Sequence, residues 1–594
     1  MGSVYAEADL LEGLRFRSNY GIDYNNNYNT TFRQVNPEHS EGNFQTSFAL
    51  QSGYQVRWTL TNTLNYDKSF GKHTINLLAG AESVEYKREQ IGGDRSGYYP
   101  FTDQSFWVLD RGNAIGQNNT SSISEEALFS TFGRIDYAYD GKYLLNATLR
   151  RDGSSKFAPD FRFGNFPSVS AGWRISQEPF MKKAHFITDL KLRAGYGVVG
   201  NDQIDANNQF SFYRSDPSRS FYDIGGTNTS TVPGYDLDRK GNPNSKWEET
   251  STLNFGLDLT LFKGAFEMNL DIYRKKTSDL LVQILRPGTE GDFTAPFINV
   301  GNTENKGVDL MLTYRGKSHQ FSYAATANFT AYRNKVSSTG VDFFTNSTRN
   351  SPVSRTVTGQ PIGMFFGYVV DGFFNTVEEV MATPTQPGVN KTSATTAQQA
   401  VGRWRFKDMN NDGKVTADDR TFLGSPHPKL QTGFSFDLGY KNFDANLFFF
   451  LNYGNQIYNN TKWWTDFNGF TGNRSVKMLN ESWTPENKNA SLPKLDANDN
   501  ISNSIPHTYF VESGSYLRAK TVQLGYTIPN NVLTRLGMSK VRIYVQGQNL
   551  FTLTKYTGPD PDLLDVGRGD IGLGVDHGRV PNPRQILGGV SVTF

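Results

Sequence analysis

The chain has 594 residues and carries 60 Lys+Arg against 58 Asp+Glu, so its formal charge of +2 offers no net field to draw in nucleic acid. Cysteine is absent, which excludes disulfides, thiolate metal sites and cysteine nucleophiles. Only 37% of residues are apolar and no run approaches the ~18 apolar residues of a membrane helix, while 14% aromatics and 57 Gly point to β structure.

The opening MGSVYAEADLLEG has no basic stretch followed by an apolar run, so no signal peptide is read there. From Leu14 onward the chain alternates apolar and polar residues with period 2, in segments of about ten. Sixteen such segments are expected as strands: 14–24, 54–68, 74–86, 127–139, 143–151, 166–175, 189–198, 251–262, 266–277, 306–315, 320–333, 432–441, 444–455, 515–526, 541–549 and 584–594. In one of them Leu253, Phe255, Leu257, Leu259 and Leu261 alternate with Thr252, Asn254, Gly256, Asp258 and Thr260. Only Lys263, Gly264 and Ala265 separate it from the next, so the two form a hairpin.

The connections alternate in length. Short ones lie at 69–73, 140–142, 263–265, 316–319 and 442–443, with medium ones at 176–188 and 527–540. Long ones lie at 25–53, 87–126, 152–165, 199–250, 278–305, 334–431, 456–514 and 550–583. A soluble sandwich or propeller keeps most loops short at both ends. A membrane barrel has short periplasmic turns, long outer loops and strands of ~9–11 tilted residues. The expected fold class is therefore all-β, a transmembrane antiparallel β-barrel. Outward apolar residues such as Val541, Ile543 and Val545 would face lipid, and Arg542, Tyr544, Gln546 and Gln548 a wet lumen. The last segment, GGVSVTF, ends in Phe594; placing that end in the periplasm puts every long loop outside the cell.

No HExxH, GxSxG or P-loop pattern occurs, and the seven His are widely spaced, so no enzymatic reading is supported. One motif is sharp. DMNNDGKVTADD at 408–419, within the long loop 334–431, has the order of an EF-hand-like calcium loop. Asp408, Asn410 and Asp412 fall at positions 1, 3 and 5, Gly413 at the tight turn, the Lys414 carbonyl at 7 and Asp419 at 12. The expected cofactor is a structural calcium ion; the competing reading is a solvated Asp/Asn/Gly turn. Trp463, Trp464 and Tyr556 are candidate ligand-stacking rings, as is the cluster Tyr98, Tyr99, Phe101, Phe106 and Trp107. Packing within loops or a membrane girdle competes with that use.

The blocks RRDGSSKF (150–157), FPSVSAGWRIS (166–176), DIYRKKTSDLL (271–281), NVGNTENKGVDL (299–310), KDMNNDGKVTADDRTFLGSPHPK (407–429), SYLRAKTVQLGYTIP (515–529) and QGQNLFTLTKYTGPDPD (546–562) resemble SusC/RagA-type TonB-dependent outer-membrane transporters. The resemblance covers essentially the whole chain in the right order. It implies a 22-stranded barrel that imports glycan or peptide fragments, with a SusD-like lipoprotein as lid and a plug that engages the TonB complex. About sixteen strands of the expected 22 are read here, without plug or TonB box, so residues 1–594 read as the C-terminal part of such a barrel. A passive porin-like channel and a secreted calcium-dependent glycan-binding β-protein are the alternative readings.

Overall fold

The computed structural model describes residues 1–37, 42–99, 107–226, 231–283, 288–340, 343–348, 351–467, 473–496, 498–499, 501–502, 504–529, 533, 537–562 and 572–593. Phe101, Phe106 and Phe594 lie outside these residues. The chain forms two compact units, one of residues Met1–Trp173, Ala194–Leu253 and Thr277–Val300, the other of Arg174–Arg193, Asn254–Lys276 and Gly301–Phe594.

Eighteen strands belong to one sheet. They are β1 (Gly2–Leu11), β2 (Leu14–Arg33), β3 (Ser47–Phe70), β4 (His73–Ser96), β5 (Asn118–Tyr139), β6 (Tyr143–Ser154), β7 (Phe163–Arg174), β8 (Ile187–Asn201) and β9 (Glu248–Leu261). The rest are β10 (Phe266–Ser278), β11 (Asn302–Ser318), β12 (Phe321–Ser338), β13 (Leu430–Tyr440), β14 (Phe443–Tyr453), β15 (Tyr516–Thr527), β16 (Lys540–Gln548), β17 (Thr552–Thr554) and β18 (Gln585–Thr593). Each expected segment falls on a strand, give or take two residues at its ends. Two strands, β1 and β17, were not expected, so the count of sixteen is corrected to eighteen. β1 pairs antiparallel with β2 across a turn at Glu12 and Gly13, where Gly13 takes φ +78.

In the first unit β1 to β7 form an antiparallel meander. Residues opposite one another on neighbouring strands share a face. Phe70, His73, Tyr139, Tyr143 and Trp173 form one such row at the short-turn end. Four residues along β3, Tyr66 lies in the row Tyr66, Leu77, Ile135, Ala147 and Val169. Further along, Leu60 lies in a row that reaches Phe129 and Phe163, while Arg151 enters the row between. Leu60 to Phe70 is eleven residues, about the number of strand residues that crosses the hydrocarbon. These side chains are exposed: Ile135, Val169 and Leu149 at 49%, 45% and 57%.

The other face is polar and internally bonded. Asp67, Asn76, Asp136, Asn146 and Ser170 form one row, with Asn76 donating to Asp67 and Asn146 to Asp136. Arg150 donates to Asp152 at 2.7 Å, Ser130 at 2.7 Å and Glu82 at 3.2 Å. Apolar side chains outward and paired polar ones on the opposite face invert the burial of a water-soluble sheet. β3 and β4 run 24 residues each, about 80 Å at ~3.3 Å per residue, far more than lipid requires.

The buried cores lie in the connections. In the second unit, loop residues Phe374, Val380, Ala397, Trp404, Phe406 and Trp483 form one core, and Phe365, Tyr458, Trp463, Leu492 and Phe510 another. The segment 334–431, whose elements the sequence left unplaced, carries short strands such as Met364–Gly367 and Thr421–Gly424 and two short helices. We label these α1 (Val377–Ala382) and α2 (Ala394–Gln398); Thr376 and Ser393 cap them by accepting from Glu379 N and Thr396 N. In the first unit Phe157, Phe166 on β7, Ile204 and Trp247 pack together, the last two from the connection 202–247.

Candidate functional site

The candidate site is the polar face of the strands together with the loop assembly of the second unit. On β14, β15 and β16, Arg542 Nε donates to Asp444 Oδ1 at 2.9 Å, and Gln523 accepts from Arg542 while donating to Gln546 at 3.0 Å. Arg542 lies 5.1 Å from the Tyr544 ring centre, and Tyr544 covers Gly589. The alternating partners Ile543 and Val545 are 47% and 57% exposed, as the period-2 reading requires, whereas Val541 is buried at 7%. Elsewhere on the same unit Arg193 is held between Asp258 (2.9 Å) and Asp271 (3.1 Å), with Asn269 and Asn254 donating to the same carboxylates. This face offers donors and acceptors fixed by their neighbours. Such a surface can pass a polar solute.

Two charged networks tie the loops together. Lys462 is buried beside Trp463; its Nζ lies 2.8 Å from Glu512 Oε1, 2.7 Å from the Tyr509 carbonyl and 4.1 Å from the Tyr509 ring centre. Burial, only partly offset by Glu512, pulls the Lys462 ammonium below its usual range. Burial alone would raise Glu512, but Lys462 with donors from Thr557 and Asn459 brings it below the ordinary carboxylate range. Tyr509 donates to Asp466 at 2.6 Å, and burial together with that carboxylate raises the phenol. In the second network Arg518 is 3% exposed and faces Asp560 and Asp562, while Lys520 reaches Asp562 at 2.6 Å. Asn582 closes it by donating to Asp560 at 2.9 Å through its backbone and 3.1 Å through its amide. The charged partners are 50 residues apart in the first network and 42 to 44 in the second, and nothing in the sequence pairs them; a lysine next to two tryptophans was the only signal.

The sequence-derived residues fall as follows. In 408–419, Asp408 accepts from Asn411 N (2.7 Å) and Gly413 N (2.9 Å), and Asn410 Oδ1 accepts from Asp412 N at 2.9 Å. Asp412 accepts from Lys414 N at 2.9 Å. Asp419 is fully buried and accepts from Met409 N (2.8 Å) and Thr416 N (2.7 Å). Burial raises Asp419, but these amides more than compensate and its carboxyl stays below the usual range. Asn411 and Gly413 take φ +60 and +83, the tight turn that the spacing demands. The donor types and their order fit a hard cation, but Asp419 Oδ1 already accepts from both Met409 N and Asn410 N, at 2.8 and 3.4 Å. Among the described residues, however, no three His, Cys, Asp or Glu side chains converge as a metal cluster.

Trp463 is buried in the second core and meets Trp464 edge-on at 4.7 Å. Tyr556 is also buried; its hydroxyl donates to Asp576 at 2.5 Å. Trp464 is half-buried against the second core. Tyr98 and Trp107 stack at 5.2 Å in a small core with Phe48, and Tyr99 is exposed.

Residues 3–407 match the family described as TonB dependent receptor-like, beta-barrel. The chain is 32% identical over 609 residues to TonB-dependent receptor P3 of Formosa agariphila, covering 100% of this chain and 58% of that protein. It is 27% identical to TonB-dependent receptor SusC of Bacteroides thetaiotaomicron, covering 98% and 54%. The solved RagAB peptide transporter superposes on all of this chain and 61% of its own with a TM-score of 0.82 at 24% identity, which shows a common fold. The chain thus spans somewhat under three fifths of the curated relatives it matches. With an exposed apolar face, a bonded polar face and these matches, the chain belongs to the TonB-dependent receptor family of outer-membrane β-barrels, in its SusC/RagA-type branch, and covers the barrel portion.

Proposed function

We propose that this barrel is the passage of an outer-membrane importer for polar oligomers, glycan or peptide fragments. Its long loops face outward and its C-terminus the periplasm. The observation that carries the reading is the inversion of burial: Ile135, Leu149 and Val169 are exposed while Arg150, Glu82 and Asp152 are bonded on the opposite face. Lipid satisfies the first face, water and solute the second. No step makes or breaks a bond. A SusD-like surface lipoprotein would meet the long loops, and a plug domain would couple the barrel to the TonB complex. SusC and the RagAB peptide transporter, named above, support both expectations. The loop 408–419 is proposed to hold a structural calcium ion through Asp408, Asn410, Asp412, the Lys414 carbonyl and Asp419.

The test is extraction of the chain from outer membranes in mild detergent, followed by mass spectrometry of bound polypeptides and small molecules. A co-purifying surface lipoprotein together with bound oligosaccharide or peptide is expected. A detergent-free, monodisperse chain in plain buffer would overturn the barrel reading. A lone barrel that conducts ions in planar bilayers would favour a passive channel.

A further inference from the structure

On β14 the period-2 alternation lapses: between Asn446 and Asn452 the chain reads Leu447, Phe448, Phe449, Phe450 and Leu451. Phe449 lies opposite Phe434 on the lipid-facing side, its ring centre 6.5 Å from that of Phe551. Asp444, Asn446 and Asn452 mark the polar face, and Phe448 and Phe450 fall on that same face. Phe450 is engaged by the Tyr516 ring and by Lys520 Nζ, each at 6.0 Å. Phe448 is the middle residue of the 11-residue strand Phe443–Tyr453, so it stands halfway along the wall. It faces Ser435 of β13 on one side and Thr521 of β15 on the other, and Thr521 in turn faces Gln548 of β16. The ring leans over Gly433: a Cβ there would come within 3.1 Å of Phe448 Cε2, and closer still to Asn328 Oδ1. An aromatic laid across a neighbouring strand's glycine turns one ring face to the wall and leaves the other to the passage. Phe448 is half-buried, as that posture requires.

The groups beside this ring are neutral. Among the described residues no side-chain hydrogen bond engages Ser435, Thr521 or Gln548, so two hydroxyls and a carboxamide are open to a solute, each able to donate and to accept. The cations nearby are already paired, Lys520 with Asp562 at 2.6 Å and Arg542 with Asp444 at 2.9 Å. Asp437, one row closer to the short turn, is exposed and accepts from Asn446, and its charge repels an anion. An apolar ring face flanked by groups that both donate and accept suits a molecule with a C–H face and a rim of hydroxyls. An apolar peptide side chain would use the ring and leave the rim unmatched.

We infer that Phe448 is a stacking subsite midway along the passage, taking an uncharged sugar ring on its open face with the sugar hydroxyls at Ser435, Thr521 and Gln548. The inference rests on the importer reading above and narrows its solute to a neutral glycan. The chain has no cysteine, so Ser435→Cys sets a single thiol beside the ring. The full chain in phospholipid vesicles is treated with a water-soluble maleimide, with maltohexaose, cellohexaose or mannohexaose as the probe. At least one of these sugars is expected to slow modification of S435C about fivefold. That protection is expected to vanish in S435C/F448A, to return in S435C/F448W, and to fall about twofold in S435C/Q548A. It is expected to persist in S435C/F449A, which removes a ring from the lipid side of the same strand. Equal protection with and without the Phe448 ring, or none from any of the three sugars, would overturn the subsite while leaving the barrel standing. Stronger protection by a terminally blocked apolar hexapeptide, or by an oligogalacturonate of the same length, would overturn the neutral-sugar occupant. Phe449→Cys tests the barrel separately: it is expected to resist the maleimide in vesicles while S435C reacts. Equal reaction of the two would mean that both faces meet water, and would overturn the barrel reading itself.

Discussion

His507 is the most sharply constrained titratable residue of the loops. It is fully buried among Trp404, Phe406, Tyr509 and Phe510, and Nε2 lies 2.8 Å from the Ser502 carbonyl. That bond places the proton on Nε2 and leaves Nδ1 as a bare lone pair with no partner. Burial pushes the imidazolium down from 6.5 to about 4; Lys462 adds to this and Asp499 opposes it. The unfolded chain therefore takes up the proton first. Stability is complete above pH 6.5 and falls as pH drops toward 4, by about 3 kcal/mol in all. His507→Leu is expected to be less stable at pH 7, through loss of the Ser502 bond, but to show that much less acid sensitivity between pH 6.5 and 4. Trp404 fluorescence in denaturant melts would read it. Equal slopes in the two proteins would show that His507 does not set the loss. The Lys462–Glu512 pair carries a second expectation at this scale. Its side chains are 10% and 12% exposed, so Lys462→Met strands a buried carboxylate and should cost roughly 3–5 kcal/mol. K462M/E512Q should recover much of that cost, and additive losses would show that the two groups are not coupled.

Among elements, the strands test the facing of the sheet. Ile135→Arg puts a charge on the exposed apolar row and should destabilise the protein in phospholipid vesicles by roughly 2–4 kcal/mol if the row lies near the midplane. Thr148→Arg, on the opposite face between Arg134 and Ser168, should cost far less. Equal costs would mean that both faces meet water. For the loop 408–419, calcium at ~1 mM should raise the melting temperature of the surrounding core and give binding heat, and Asp412→Ala should abolish both. Absence of heat in the unaltered chain would leave an Asx-rich turn. These contrasts show what the sequence could disclose. Where lipid touches one face, alternation is enforced, and all sixteen segments were legible for that reason. Beyond the lipid both faces are wet. In β2 the run Asn25, Asn26, Asn27, Tyr28, Asn29 and Thr30 is strand without alternation, so the strands reach further than the pattern shows. β1 does alternate, with Val4, Ala6, Ala8 and Leu10 against Tyr5, Glu7 and Asp9, and is legible by the same rule. The calcium-type spacing lies within twelve consecutive residues. The Lys462–Glu512 and Arg518–Asp560 pairs are made by folding, and no local pattern announces them.

Across the whole molecule, two kinds of surroundings stabilise different parts of one chain. The strands expose their apolar side chains, so their stability depends on lipid; the loops bury Phe374, Trp404, Trp483 and Phe510 against each other, so theirs depends on water. Denaturant weakens apolar burial in water directly. A strand in lipid must instead break its ladder hydrogen bonds where no water can replace them. The loop cores should therefore open before the sheet does. In vesicles, urea should give two transitions. The first is expected in the fluorescence of Trp404, Trp463 and Trp483, with new protease cuts confined to 351–424 and 455–513. The second is expected in the amide infrared signal of the strands, at higher urea. Lowering the pH from 6.5 toward 4 should move the first transition much more than the second, because His507 lies in the loop core. Replacing vesicles by detergent should move chiefly the second. One transition seen by all probes, shifting equally with pH and with lipid, would mean that loops and strands form one cooperative core, and that the apolar rows on the strands are packed against protein.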